Sequence, residues 1–158
     1  MITDPELLKT LMQQGKFLPK EEMLEIERKK GRLKIGIPKE LSFQERRVAL
    51  VPETVSLLVA HGHQVLIESK AGENSNFSDN EYSEAGAEIS SDRNAIYQCN
   101  IILKVAPPSE EEVDLMTGNQ LFISALQIAA QPKEILQKLI KKKITAIAWD
   151  YIKDEEGV

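Results

Sequence analysis

The sequence predicts an α/β protein: a Rossmann-like, doubly wound, mostly parallel sheet with an N-terminal helical arm. Short apolar runs such as Val65-Leu-Ile67 and Ile101-Ile-Leu103 alternate with segments whose apolar residues recur at helical spacing. The central runs are continuously apolar rather than alternating with polar residues, as strands of a parallel sheet covered on both faces are. Gly62, Gly86 and Gly118 each close a helical segment, where a residue free to adopt the left-handed conformation ends a helix.

In order, Thr3-Asp-Pro-Glu6 has the form of a capping box, and Leu7, Leu8, Leu11 and Met12 continue it at helical spacing. A second helix is expected over Glu21–Lys30, acidic early and basic late, with Gly31 as its stop. These residues form the expected arm, 1–32. Leu33–Ile37 reads as a strand, Pro52–His61 as a helix that proline opens, and His63–Glu68 as a buried strand. Ser78-x-x-Glu81 caps a short helix to Ala85, Ala87–Ser90 is a short strand, and Asp92–Gln98 a short helix. Asn100–Val105 is the clearest strand, ended by Pro107 and Pro108. Ser109-Glu-Glu-Glu112 caps a helix to Met116, Gln120–Leu126 is a strand, Pro132–Lys143 a helix, and Ile144–Trp149 the last strand.

A chain of 158 residues fits one domain, and 42% hydrophobic with 28% charged residues is ordinary for a globular protein. The net charge of −5, with basic residues interleaved among acids, argues against a nucleic-acid partner, which needs a basic stripe. No apolar run approaches the roughly 18–20 residues of a membrane span, and the first residues lack a signal-peptide core. A single cysteine, Cys99, rules out an internal disulfide framework and a cysteine metal cluster. The expectation is a cytoplasmic protein with neither a membrane nor a nucleic-acid partner, and with no metal.

Two features stand out as chemistry. After Ile35 and Ile37 the chain breaks at Pro38 into a polar loop carrying Arg46 and Arg47, just before a second apolar run, Val48–Val51. A strand emptying into an arginine-bearing loop is how open α/β sheets build ligand crevices, and guanidinium matches carboxylate bidentately. A solvated surface loop accounts for the same residue types. Lys104, one residue from the end of an apolar strand, must either snorkel to water or meet an anion. At a parallel strand's carboxyl end its ammonium would reach the crevice.

Other polar features have plainer readings. His61 and His63 fit a helix C-terminus, Cys99 a small buried hydrophobe, Glu110–Glu112 a solvated first helical turn, and Glu73–Asp79 a turn. No Gly-x-Gly-x-x-Gly and no P-loop occurs.

Lys34-Ile-Gly-Ile-Pro-Lys-Glu40, Glu45-Arg-Arg-Val-Ala-Leu-Val-Pro52, Gly62-His-Gln-Val65, Ala71-Gly72, Phe77-Ser-Asp79, Tyr82, Ala85-Gly-Ala87 and Ile101-Ile-Leu-Lys-Val105 stand in this order. Together they resemble the N-terminal domain shared by alanine dehydrogenase and the alpha chain of pyridine nucleotide transhydrogenase, over about 33–152. The resemblance implies the substrate domain of an NAD-dependent enzyme that reversibly deaminates L-alanine to pyruvate and ammonia. It implies that residues 153–158 begin a linker to a further domain that binds NAD, that this piece alone is inactive, and that the whole is a homo-oligomer. It implies that Arg47 and Lys104 grip the carboxylate of a small 2-oxo or 2-amino acid. At the position of the family's acid/base histidine this chain has Gln127, which can hydrogen-bond but cannot shuttle a proton. That departure leaves Lys104 as the nearest catalytic candidate beside Gln127. It also keeps open a transhydrogenase alpha-type domain, whose Ala-Gln pattern Gln131 resembles, a saccharopine dehydrogenase relative, and a silent carboxylate-binding homologue.

Overall fold

The computed structural model describes residues 31–42 and 44–153. The two arm helices expected before Gly31, and most of the expected linker, lie outside the described residues.

Six strands form one sheet: β1 (Lys34–Ile37), β2 (Gln64–Glu68), β3 (Glu88–Ser90), β4 (Ile101–Leu103), β5 (Leu121–Ser124) and β6 (Thr145–Ala148). Their spatial order is β3-β2-β1-β4-β5-β6, and every pairing is parallel. The expected "mostly parallel" sheet is thus parallel throughout. Helices α1 (Pro52–Ala60), α2 (Asp79–Glu84), α3 (Arg93–Tyr97), α4 (Glu110–Leu115) and α5 (Lys133–Lys141) fill the connections.

The winding reverses between β1 and β4. From β1 the chain steps outward to β2 and β3, then returns across the sheet to β4 on β1's other side. At such a reversal the loops leaving neighbouring strands diverge, and a crevice opens at the strands' carboxyl ends.

Two cores cover the sheet. One gathers Ile37, Val55, Val65, Ile67, Ala71, Tyr82 and Ala87 beneath α1 and α2. The other gathers Tyr97, Ile102, Val113, Met116, Phe122, Leu126, Ile135 and Leu139 beneath α3, α4 and α5. Ile102 belongs to the second core while the next residue, Leu103, packs on the first. Successive strand residues point to opposite faces, so the two cores lie on opposite sides of the sheet.

The helix starts follow their sequence signals. Pro52 stands at the first position of α1, and complete capping boxes open α2 at Ser78 and α4 at Ser109. Asp92 caps α3 by accepting from the Asn94 N–H. His61 Nδ1 lies 2.7 Å from the Leu57 carbonyl oxygen, the helix-end contact expected of it. Asp79 accepts from the Ser69 hydroxyl and the Lys70 N–H, so the polar turn before it is pinned by its own side chains.

Two expectations are corrected here. The strand expected over Asn100–Val105 is only Ile101–Leu103, and Lys104 lies just beyond it. On the β1 side, where β1 has ended at Ile37, the Val105 N–H donates to a side chain, Glu40 Oε1 at 2.6 Å, rather than to a strand. The acidic run is not wholly solvated: Glu112 is 3% exposed, because the capping box turns it inward beneath β4.

Candidate functional site

Lys104 leaves the carboxyl end of β4 at the winding reversal and is only 2% exposed. A buried ammonium without anions around it is very costly, so the residues that enclose it define the site. Its Nζ donates to Glu112 Oε1 at 2.9 Å and Oε2 at 3.0 Å, and lies 3.2 Å from Glu40 Oε2. Of the two courses open to it, Lys104 therefore takes the anion rather than snorkelling to water, and the anions come from the chain itself.

Each partner has its own support. Glu112 is the third residue of α4, where its Oε2 also accepts the Ser109 N–H at 2.8 Å. Arg93 Nη2, from the first turn of α3, donates to Glu112 Oε1 at 2.6 Å. Burial pushes the Glu112 carboxyl up, but the charge and hydrogen bonds of Lys104 and the Ser109 N–H outweigh it and hold it below the usual carboxylate range. Arg93 also stacks over the Tyr97 ring at 5.6 Å and approaches Glu68 Oε2 at 3.9 Å. The Tyr97 hydroxyl is buried beside Arg93 and Glu112 without a well-directed partner, and burial, then the Glu112 charge, push the phenol well above its ordinary range. Two cations, Lys104 and Arg93, thus meet three carboxylates, Glu40, Glu68 and Glu112, at the ends of β1, β2 and β4.

Arg47 is placed differently. Its guanidinium pairs with Glu45 through Nε at 2.9 Å and Nη2 at 2.8 Å, and its side chain is 76% exposed. The Arg47 hydrogen bonds hold the Glu45 carboxyl down at about 2. Glu45 first, and more weakly Glu40, keep the Arg47 guanidinium charged. Arg47 and Lys104 therefore share no carboxylate; each holds one from the loop that follows β1. Arg46 is also exposed, and its backbone carbonyl accepts from the Ser75 hydroxyl.

Gln127 follows β5, exposed, with a left-handed backbone at φ +46°. A non-glycine residue in that region is strained by about 1–2 kcal/mol. Asp150, just after β6, holds it there by accepting from the N–H groups of Leu126 at 3.0 Å and Gln127 at 2.9 Å. Such held strain is characteristic of functional loops.

The residues present do not fit the pyrophosphate of a dinucleotide. The loop after β1 carries Glu40 and Glu45 where phosphates would need bare backbone N–H groups, and Glu53 stands in the first turn of α1. Among the described residues no cluster of His, Cys, Asp or Glu suits a metal ion, and no helix is long and apolar enough to cross a membrane. Cys99 is buried, and burial raises its thiol.

Sequence reasoning found Lys104 but missed Glu40, Glu68, Glu112, Arg93 and Tyr97 as its surroundings. Only Glu112 left a signal, as the closing residue of a capping box shortly after Lys104. The Glu40 contact spans 65 residues and leaves no periodic trace.

The fold and site define a class: an open, doubly wound α/β domain with a buried charge cluster at its winding reversal. Residues 36–158 match the profile of the family described as "Alanine dehydrogenase/PNT, N-terminal domain". The chain is 39% identical to alanine dehydrogenase of Bacillus subtilis (strain 168) over 120 residues, which are 76% of this chain and 32% of that protein. A solved L-alanine dehydrogenase superposes with a TM-score of 0.76 at 36% identity, covering 80% of this chain and 35% of that one. The transhydrogenase of Sinorhizobium meliloti follows at 0.72 and 27%, covering 78% and 35%. The chain belongs to the alanine dehydrogenase/PNT N-terminal domain family. It spans about a third of the length of the curated relatives it matches.

Proposed function

We propose that this chain is the substrate-binding domain of an NAD-dependent alanine dehydrogenase-like enzyme, reversibly deaminating L-alanine to pyruvate and ammonia. The observation that carries the reading is Lys104: an enclosed ammonium at the winding reversal, in a chain 39% identical to an alanine dehydrogenase. Its role is to hold the carboxylate of a 2-oxo or 2-amino acid, with Arg47 from the loop after β1 as the second cation. Two cations on one carboxylate fix the orientation of the adjoining carbon, and orientation is a large part of rate enhancement.

Gln127 stands at the end of β5, where it orients substrate by hydrogen bonding rather than moving a proton. NAD is held outside the described residues, in keeping with the misfit of the loop after β1 to a pyrophosphate. A cytoplasmic homo-oligomer, which the family resemblance implies, completes the reading. A transhydrogenase alpha-type domain is the second reading, favoured by Gln127 in place of an acid/base and by the Sinorhizobium meliloti likeness.

The test is made on the whole protein with NADH, ammonia and pyruvate. NADH oxidation that requires both pyruvate and ammonia is expected, with the KM for pyruvate raised at least ten-fold in Lys104→Met. Hydride exchange between nicotinamide nucleotides that ignores pyruvate selects the second reading.

A further inference from the structure

Both cations assigned to the substrate carboxylate already hold carboxylates of this chain: Arg47 holds Glu45, and Lys104 holds Glu112 and Glu40. The Lys104 side chain is 3% exposed, so a ligand reaches Nζ only if one of its two carboxylate neighbours moves. The two are anchored very differently. Glu112 is tied by the Ser109 N–H at 2.8 Å, by Arg93 at 2.6 Å and by both its oxygens to Lys104. Glu40 is tied through one oxygen to the Val105 N–H, while its Oε2, although 3.2 Å from Lys104, makes no well-directed hydrogen bond and meets no other partner. Glu112 belongs to a capped helical turn, whereas Glu40 belongs to a loop.

We propose that Glu40 is an internal stand-in for the substrate carboxylate, displaced from Lys104 when the substrate arrives, while Glu112 is the fixed positioning residue that aims the ammonium. This rests on the reading of Lys104 as a carboxylate-binding residue. Binding is then an exchange of one carboxylate for another, and the ammonium is never left buried without a counter-charge. The same displacement extends to Arg47, whose pair with Glu45 is exposed and weakened by water, and so opens readily. The exchange favours ligands that present a carboxylate of their own, because a neutral ligand cannot replace the charge that Glu40 withdraws.

The two carboxylates are distinguished by opposite effects in the whole protein. Glu40→Gln, which keeps an oxygen for the Val105 N–H, removes the competitor and should tighten pyruvate binding several-fold. Glu112→Gln removes the fixed partner and should weaken it at least ten-fold, with Glu112→Asp recovering part of the loss. The KM for NADH should move in neither glutamine variant, and thermal midpoints report whether each variant is folded. Weakening of pyruvate binding in Glu40→Gln as in Glu112→Gln, in folded protein, overturns the proposal.

A second measurement does not depend on the enzymatic reading: labelling of Lys104 by an amine-reactive probe at fixed pH, read by mass spectrometry in ligand-free protein. Faster labelling in Glu40→Ala, which removes the covering side chain, than in the parent is expected, since the stand-in covers Nζ. Equal labelling shows that Glu40 does not cover the amine and overturns the proposal whatever the enzyme does. If the parent binds neither pyruvate nor L-alanine yet the labelling rises, the functional reading fails, while the cover over Lys104 stands for an anion of another kind.

Discussion

At the scale of single residues, the site depends on how closely α3 approaches β1. Gly36 lies in β1, and a Cβ placed there would collide with the Ile96 carbonyl oxygen and meet Cys99 Cβ and Sγ, each at 3.2 Å. The obstacle is backbone at the end of α3, which cannot swing aside as a side chain can. Gly36→Ala should therefore destabilise the protein by about 1–3 kcal/mol, the usual cost of overpacking, read as a lower urea midpoint with unchanged slope. Because α3 also carries Arg93, the substitution should weaken the support of Glu112 as well. The sequence showed Gly36 only as a member of an apolar run and gave no reason for glycine there. That reason is a contact spanning the whole β2–β3 excursion of the chain. Lys104 was legible for the opposite reason: a charged residue in an apolar run conflicts with its neighbours, and the conflict is visible without knowing what resolves it.

At the scale of elements, short helices with strong starts do much of the positioning. The capping boxes at Ser78 and Ser109 were legible because their chemistry spans only three residues, and both are complete. What the sequence could not show is that the second box also serves the site: Glu112 closes it and holds Lys104 with the same carboxylate. Ser109→Ala removes the hydroxyl that accepts the Glu112 N–H, which should cost about 1 kcal/mol. The box also sets an acid limit. The folded Glu112 carboxyl lies below its ordinary value of 4.5, so its contribution to stability is complete above that pH and is lost as pH falls through the folded value. Urea midpoints measured from pH 7 down to 3 should fall below about pH 4.5, and fall less in Glu112→Gln, which lacks the titrating group. An identical acid slope in that variant would remove Glu112 from the cause. The end of β4 was misjudged by the same local reasoning, since the neighbouring β1 ends at Ile37 and the Val105 N–H turns to Glu40, contacts that the prolines after β4 do not reveal.

At the scale of the molecule, the buried charges join parts of the chain that the sheet's winding separates. Glu40 comes from the loop after β1, Glu68 from the end of β2, Arg93 from α3, Lys104 from beyond β4 and Glu112 from α4. A fold stabilised mainly by its two apolar cores does not need such a cluster, because desolvating the charges offsets much of their attraction. Removing one member is a different matter, since its partners stay buried and uncompensated. Lys104→Met should lower stability by about 3–5 kcal/mol, the range for breaking a buried pair, as Glu112 and Glu40 lose their shared cation. Combining Lys104→Met with Glu112→Leu removes charge and counter-charge together and should recover at least half of that loss in urea unfolding. Pyruvate binding should not recover with it. A double variant regaining stability but not binding separates the cluster's two roles, because a purely structural cluster would be dispensable for both. If the double variant is no more stable than the single one, the remaining carboxylates do not depend on Lys104, and the cluster's charges are balanced chiefly through Arg93.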